Sequence, residues 1–467
     1  MLLTYQDFEK YKNQGDTSNF IRIAIENHRA DPMFVEAVIA DEYDRQRNIT
    51  INEYIRTMFT LTGTPIEDFT ASNNRIASNF FHRLNTQRCT YSLGNGISFQ
   101  QETVKDKLGG SFDTKLWDLG YKALIHGVSF GFWNVDKLHV FPLTEFVPLW
   151  DEYDGTLKAG IRYWRLAPQK PTMAVLYEID GYTKYRSEAD SDTLTFTVEQ
   201  DKKPYKTRIA NTEMGEPEVI GVENYSSLPI VPMWGSKLHQ STLVGMREKI
   251  DSFDLIRSGF ANDLTDCSQI YWIISNCGGM EEEDLARFRD RLKINHIANA
   301  DEGDVTPYTQ EIPYQARKQY LDDIRAGIYE DFGGLDVHTI AAGATNDHID
   351  AAYQPLDENA DDFEYNVIEF VQQVLSLMNI DAVPIFKRNR ISNQKEQTEM
   401  VLQAAQYLDE ETVISKLPFI TPDEIKTILR RKDTEDIDRL THGTPTESPE
   451  ETQEQTPVLV DEESEEA

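Results

Sequence analysis

The apolar residues change their period twice along this chain, and that double change limits the fold more than any other feature. Up to residue 126 the spacing is helical. Asp31-Pro32 sets a carboxylate before a proline at a first helical position, and Met33, Phe34, Ala37, Val38 and Tyr43 follow. A second helix is expected from Asn73, with Ile76, Phe80, Phe81 and Leu84 on one side, stopping before Gly94-Asn95-Gly96. A third runs from Asp113 through Leu116, Leu119, Ala123 and Leu124 to Gly127. Beyond it, Val128, Phe130 and Phe132 alternate with Ser129, Gly131 and Trp133, the period of a strand. Short β-type runs recur at 137–143, 157–165, 172–179, 182–186, 193–198 and 218–222, and Asp154-Gly155 suits a hairpin turn. A mostly antiparallel sheet region is expected over 127–235.

From Ser241 the helical period returns. Leu243, Met246, Ile250, Phe253, Phe260 and Leu264 predict a helix to about residue 268, about 42 Å long. A compact insert follows (271–312), with a β-type run at 271–275 and an acidic helix from Glu281. A second helix is expected over 313–332, stopped by Gly333-Gly334, and then a small-residue loop, LDVHTIAAGATNDHID, over 335–350. The acidic cluster Asp357, Glu358, Asp361 and Asp362 reads as the favoured start of a third long helix, through Phe363, Val367, Phe370, Val371, Val374 and Met378. A strand at 383–386 and closing helices complete the chain, one of them opened by the capping box Thr421-Pro-Asp-Glu424. With 467 residues, the length suits about three domains.

Charge narrows the function. Asp and Glu number 80 against 46 Lys and Arg, a formal charge of −34. Gripping nucleic acid by counterion release, or docking on anionic lipid, calls for the opposite surplus. Cys89, Cys267 and Cys277 make no disulfide framework, which fits a reduced compartment. The mixed N-terminus MLLTYQDFEKYK predicts no signal peptide, and the apolar runs are too short to span a membrane. The sequence thus predicts a soluble, intracellular, acidic protein, in which the sequons at Asn48 and Asn224 carry no meaning.

Gly127-Val-Ser129-Phe-Gly131 matches a nucleophile elbow, but the elbow needs a strand before the serine and a helix after it. Here the order is reversed, so Ser129 is expected to be a strand residue. Neither a phosphate-binding G-x-x-x-x-G-K-[ST] nor an H-E-x-x-H occurs. Cys267 and Cys277 lack a histidine pair for zinc. Asp151 and Asp154 lack the ladder of a calcium loop. His338 and His348 flank the small-residue loop as polar residues or a metal pair, and Glu281-Glu-Glu-Asp284 reads as a solvated helix start. The expectation is a non-enzyme without cofactor or metal.

The order long helix, insert, helix, small-residue loop, long helix resembles the portal proteins of tailed bacteriophages. So do several stretches: IENHRADPMFVEAVIADEYDRQRNI, NNRIASNFFHRLNTQRCTYSLGNGISF, LGYKALIHGVSFGFWNVD with FPLTEFVPLWDEYDG, and VPIFKRNRISNQKEQTEMVLQAAQYLDEETVISKLPFITPDEIKTIL. Together they span about residues 20–435. The resemblance implies an α+β portal-like subunit. Its parts would be a helical and antiparallel-sheet wing (1–235, with its helical part to 126), stem helices (236–270 and 313–334) and a small α/β clip (271–312). A tunnel loop (335–350), a long wing helix and strand (351–390) and a helical crown (391–441) would follow, whereas the acidic tail (442–467), expected to be disordered from its composition, is not something the resemblance explains. It further implies a homo-oligomeric ring of about twelve subunits at one capsid vertex of the virion, assembled in the host cytoplasm. Double-stranded DNA would pass through it without sequence reading, driven by the terminase ATPase. The major capsid protein and a head–tail adaptor would be further partners. His338, Thr339, Asn346 and His348 would face the DNA.

Two other readings stand beside it: a non-portal virion assembly protein, and a hydrolase built on Ser129 or on His338 and His348. Size separates them, because a ring elutes far above a small oligomer. From Gly443 the tail holds nine carboxylates and no Lys or Arg, a self-repelling composition that does not pack. Truncation after His442 is expected to leave assembly unchanged; loss of rings, seen by electron microscopy, would make the tail structural.

Overall fold

The computed structural model describes residues 3–60, 62–69, 71–188, 194–211, 217–267, 271–275, 283, 304–308, 314–340, 345–390, 394–417, 420, 425, 427–428 and 430–431. Helices α1 (Tyr5–Asn13), α2 (Thr17–Arg29), α3 (Pro32–Asp44) and the short α4 (Ile49–Asn52) open the chain. A hairpin of β1 (Thr57–Phe59) and β2 (Pro65–Glu67) comes next, then α5 (Phe80–Leu93), β3 (Ile97–Ser98), α6 (Glu102–Leu108) and α7 (Phe112–His126). The sheet region holds β4 (Val128–Asn134), β5 (Lys137–Pro142), β6 (Phe146–Trp150), β7 (Leu157–Arg165) and β8 (Thr172–Glu178). It continues through β9 (Gly181–Ser187), β10 (Phe196–Lys203), β11 (Lys206–Asn211), β12 (Pro217–Glu223) and β13 (Ile230–Trp234). Next are α8 (Arg247–Cys267), β14 (Tyr271–Ser275), β15 (Asp304–Tyr308), α9 (Tyr314–Phe332), α10 (Asn346–Ser376), β16 (Ile385–Phe386), α11 (Gln394–Ala404) and α12 (Glu410–Lys416). The fold is α+β, and its described strand pairs are antiparallel. No described helix is long and apolar enough to cross a membrane.

The chain divides into two compact units, one of residues 1–340 with 350–390 and one of 341–349 with 391–467. In the first, a sheet ordered β10-β9-β8-β7-β6 and another ordered β13-β4-β5 follow from the period-two pattern. The β6–β7 turn holds Gly155 at φ +67, as Asp154-Gly155 led one to expect. One core lies where α1 and α2 cover the larger sheet, with Phe8, Phe20, Ile21, Val147, Leu149 and Ile161 buried together. The larger core gathers α5, α7 and α10 on β4, β5 and β13. Within it a Cβ on Gly131 would stand 2.5 Å from Cζ of Phe370, and one on Gly120 2.8 Å from Cζ of Phe363. Two glycines therefore seat two phenylalanines of α10, one on β4 and one on α7. In the second unit Asp409 caps α12, its Oδ2 accepting from the Thr412 N–H at 3.0 Å.

Four expected boundaries move. The segment from Asn73 is not helical until Phe80. Its backbone is held instead by a polar stripe on α8. Asp254 Oδ1 accepts from the Ser78 N–H at 2.9 Å, Ser258 Oγ from Ile76 N–H at 2.9 Å, and Asn262 Oδ1 from Asn74 N–H at 2.5 Å. Helix positions four apart lie about 6 Å apart along the axis, so the run spanning them is extended, two residues per step. Asp254, Ser258 and Asn262 are all buried. Burial pushes the Asp254 carboxyl up, against the downward pull of its bonds from Asn48 and Ser78. The first long helix starts at Arg247, not near Ser241, because Gly245 sits at φ +81, outside the helical range. The third starts at Asn346, not Asp357, and runs through Pro355. The expected strand at 383–386 shortens to β16, paired with β3. The insert is described only at β14, β15 and residue 283, while the capping box at Thr421 and the tail from 442 lie outside the described residues.

Ser258→Ala is expected to strand the Ile76 N–H, costing about 1–3 kcal/mol of stability. Denaturant unfolding, with faster exchange of the Ile76 amide than of the neighbouring cores, checks it.

Candidate functional site

The segment between α9 and α10 is anchored at its start. Gly333 ends α9 at φ +62, and Asn359 Nδ2 of α10 donates to Phe332 O at 2.8 Å. Gln87 of α5 clamps Leu335 on both sides, its Nε2 donating to Leu335 O and its Oε1 accepting from Leu335 N–H, each at 2.9 Å. Arg325 of α9 reaches both oxygens of Asp336, at 2.9 and 2.8 Å, and Asp336 in turn accepts from the His338 N–H at 3.1 Å. A single 3₁₀ turn over Val337–Thr339 follows, with Val337 and His338 exposed.

The far end is a helix start. Asn346 is the first residue of α10, and His348 is exposed with its Nδ1 2.9 Å from the Thr345 hydroxyl. His338 thus belongs to the first unit, and Asn346 and His348 to the second. The side chain of Thr339 and residues 341–344 lie outside what is described. No group of three or more His, Cys, Asp or Glu side chains able to hold a metal occurs among the described residues.

Ser129 is buried on β4, and its hydroxyl donates to Leu119 O at 2.7 Å. Gly127 stops α7 at φ +87 and Gly131 clears Phe370. Gly127, Ser129 and Gly131 of the elbow-like motif therefore each have a structural task, and the serine sits on a strand as its sequence context indicated.

The carboxylates of α10 have a different task from the one expected of them. They do not open the helix; they hold the segment after it. Arg388 reaches Glu364 at 3.0 Å, Asp357 at 2.9 Å and Asp361. Arg390 reaches Asp350 at 3.0 Å, the Tyr91 hydroxyl at 2.7 Å and Asp357. The hydrogen bonds from Arg388 to Glu364, then those to Asp361, raise its already high pKa against partial burial. Deeper in, Arg88 donates to Asn359 O at 2.9 Å, and burial lowers its pKa to about 10 although Asp362 opposes the shift.

A sequence model described as "Phage portal protein, SPP1 Gp6-like" matches residues 39–438. The chain belongs to that family. A portal protein of Clostridium phage phiCD119 is 23% identical over 384 residues, covering 75% of this chain and 82% of that one. The portal protein of Bacillus phage SPP1 is 23% identical over 404 residues, covering 79% and 78%. A chain in the solved neck of a native GTA particle, computed with C12 symmetry, superposes with a TM-score of 0.36 at 11% identity, covering 73% of this chain and 90% of that one.

The segment 335–350 stands out in the sequence by its small residues, but what anchors it does not. Gln87 lies 248 residues from Leu335, and nothing local marks it. Asp336 and Arg325 are eleven apart across a helix end, a spacing that no periodic pattern flags. The one usable signal was Arg388-Asn-Arg390, two forks beyond an acidic helix face.

Arg388→Ala leaves Asp357, Asp361 and Glu364 as like charges along one helix face. Stability is expected to fall by about 1–3 kcal/mol, more at low salt than at high salt, with partial recovery in Arg388→Lys. Thermal unfolding across a salt series reads this out, and a salt-independent loss would contradict it.

Proposed function

We propose that the chain is one subunit of a closed portal ring of about twelve copies, set at a capsid vertex. Double-stranded DNA enters and leaves the head through its axial channel. The family match over residues 39–438 carries the reading. A terminase ATPase drives the DNA, a head–tail adaptor docks below, and the major capsid protein surrounds the ring. Assembly takes place in the host cytoplasm before incorporation into the virion. In this reading the protein catalyses nothing itself: it is a conduit and a joint.

The parts follow the chain order. Residues 1–235 with 351–390 form the wing, α8 and α9 the stem, 271–312 the clip, and 391–441 the crown. The segment from Leu335 to the first turn of α10 is the tunnel loop, on which His338, Thr339, Asn346 and His348 meet phosphate without reading bases. Charge supports this assignment. A net −34 per chain and a stretch over 335–350 without Lys or Arg give a lumen no deep wells in which sliding phosphates would be trapped.

Native mass spectrometry or electron microscopy of the purified chain is expected to show closed rings; monomers or dimers at every concentration and salt would sink the proposal. For the loop, Ala342→Trp with Ala344→Trp is expected to leave rings intact and to impair DNA packaging or retention. Packaging equal to the parent's would remove the loop from the channel.

A further inference from the structure

The small hairpin of β1 and β2 has an unusual surface. All six of its strand residues are exposed. Phe59 is 71% exposed and Phe69, just past the hairpin, 84%, while Tyr54, Ile55, Met58 and Ile66 add further apolar surface. An isolated two-stranded hairpin with both faces in water is at best marginally stable. Ordering its backbone costs about 1–2 kcal/mol per residue, which burial has to offset. Among the described residues that burial does not occur.

The base is held firmly. Thr50 donates to Asp251 at 2.6 Å on the leading side, and the trailing side is the run racked onto Ser258 and Asn262, so both legs are tied to α8. Arg56 donates to Ser72 O at 2.9 Å, and Asp68 accepts from Ala71 N–H at 3.2 Å, so charges near the base are used internally. At the turn, the Thr60 and Thr62 hydroxyls bond each other at 2.8 Å and Thr60 Oγ1 accepts from Thr64 N–H at 3.1 Å. What the hairpin offers outward is therefore apolar surface on a rigid mount.

Its occupant follows from charge. Residues 54–67, YIRTMFTLTGTPIE, carry two charged side chains of opposite sign, Arg56 and Glu67, in a chain of net −34. Two copies of so acidic a protein repel across most of their surfaces, and this neutral projection is where they can meet without that penalty. A ring closes through heterologous contacts, one patch of each subunit on a different patch of the next, which suits a one-sided projection. We infer that the β1–β2 hairpin is an assembly arm that seats its apolar side chains on the neighbouring copy of this chain. The inference rests on the ring reading above.

The two faces are separable, because Met58 pairs with Ile66 across the strands while Phe59 pairs with Pro65. The parent chain is measured first by native mass spectrometry; if it forms no ring, the ring reading itself fails. If it does, Met58→Asp with Ile66→Asp, and separately Phe59→Asp, are compared with it at matched circular dichroism. At least one is expected to raise the concentration needed for rings tenfold or more. Rings of parental stability in both variants would overturn the arm. So would normal rings that have lost binding to another virion protein, which would then be the occupant. Hydrogen exchange on the parent ring decides the matter if the variants misfold: amides of Thr57–Glu67 are expected to be protected in rings and not in monomers, and rapid exchange in both would overturn the inference.

Discussion

The seating of α10 on its glycines is the contact on which the first unit depends. Phe363, Val367, Phe370, Val371, Val374 and Leu375 are all but fully buried, and two of them rest where Gly120 and Gly131 leave room. Each such side chain contributes roughly 1.5–3 kcal/mol by leaving water. The same helix joins the pieces around it. Its buried face lies in the core with α7 and β4, Asn359 meets the end of α9, and its acidic face takes Arg388 and Arg390. Displacing it would uncover the core and release the chain on both sides.

Carboxylates in this acidic protein work in two ways. Asp254 is buried, and burial raises its pKa although the Asn48 amide and the Ser78 N–H that bond to it pull the other way. Asp41 is also partly buried, and burial again pushes it up, but contacts with His126 and Lys122 outweigh this and hold it well below the usual carboxylate range. Desolvation alone therefore does not set the sign; the partner does. The surplus of negative charge remains largely on the outside, where it governs how copies and polyanions approach.

Much of the fold was legible where the determinants are local. Period two marked β4 through β9, Gly127 and Gly333 stopped their helices, and Asp31-Pro32 opened α3. Apart from Gly245, whose backbone delays the start of α8, the failures trace to partners far away in sequence. Residues 73–79 carry helical spacing, yet their N–H groups are claimed by Asp254, Ser258 and Asn262, some 176 to 188 residues later. Asp357 and Asp361 read as a helix opening because carboxylates suit the positive end of a helix dipole, whereas α10 runs through Pro355 and the carboxylates serve arginines downstream. For the candidate site, the loop's composition was visible, but its anchors at Gln87 and Arg325 were not.

The rack on α8 has a mechanical consequence. Its rungs are spaced by four helical residues, about 6.0 Å, whereas two residues of extended chain cover about 6.6 Å, so the two scales drift by roughly 0.6 Å per rung, like a vernier. Three rungs fit before the drift uses up the tolerance of a hydrogen bond, and the next contact is indeed between side chains, Thr265 with Asn74 at 3.3 Å. A vernier aligns at one setting only. Slippage of the strip along α8 by a single residue would break every rung together, so residues 74–78 and that helix are coupled to move as one piece.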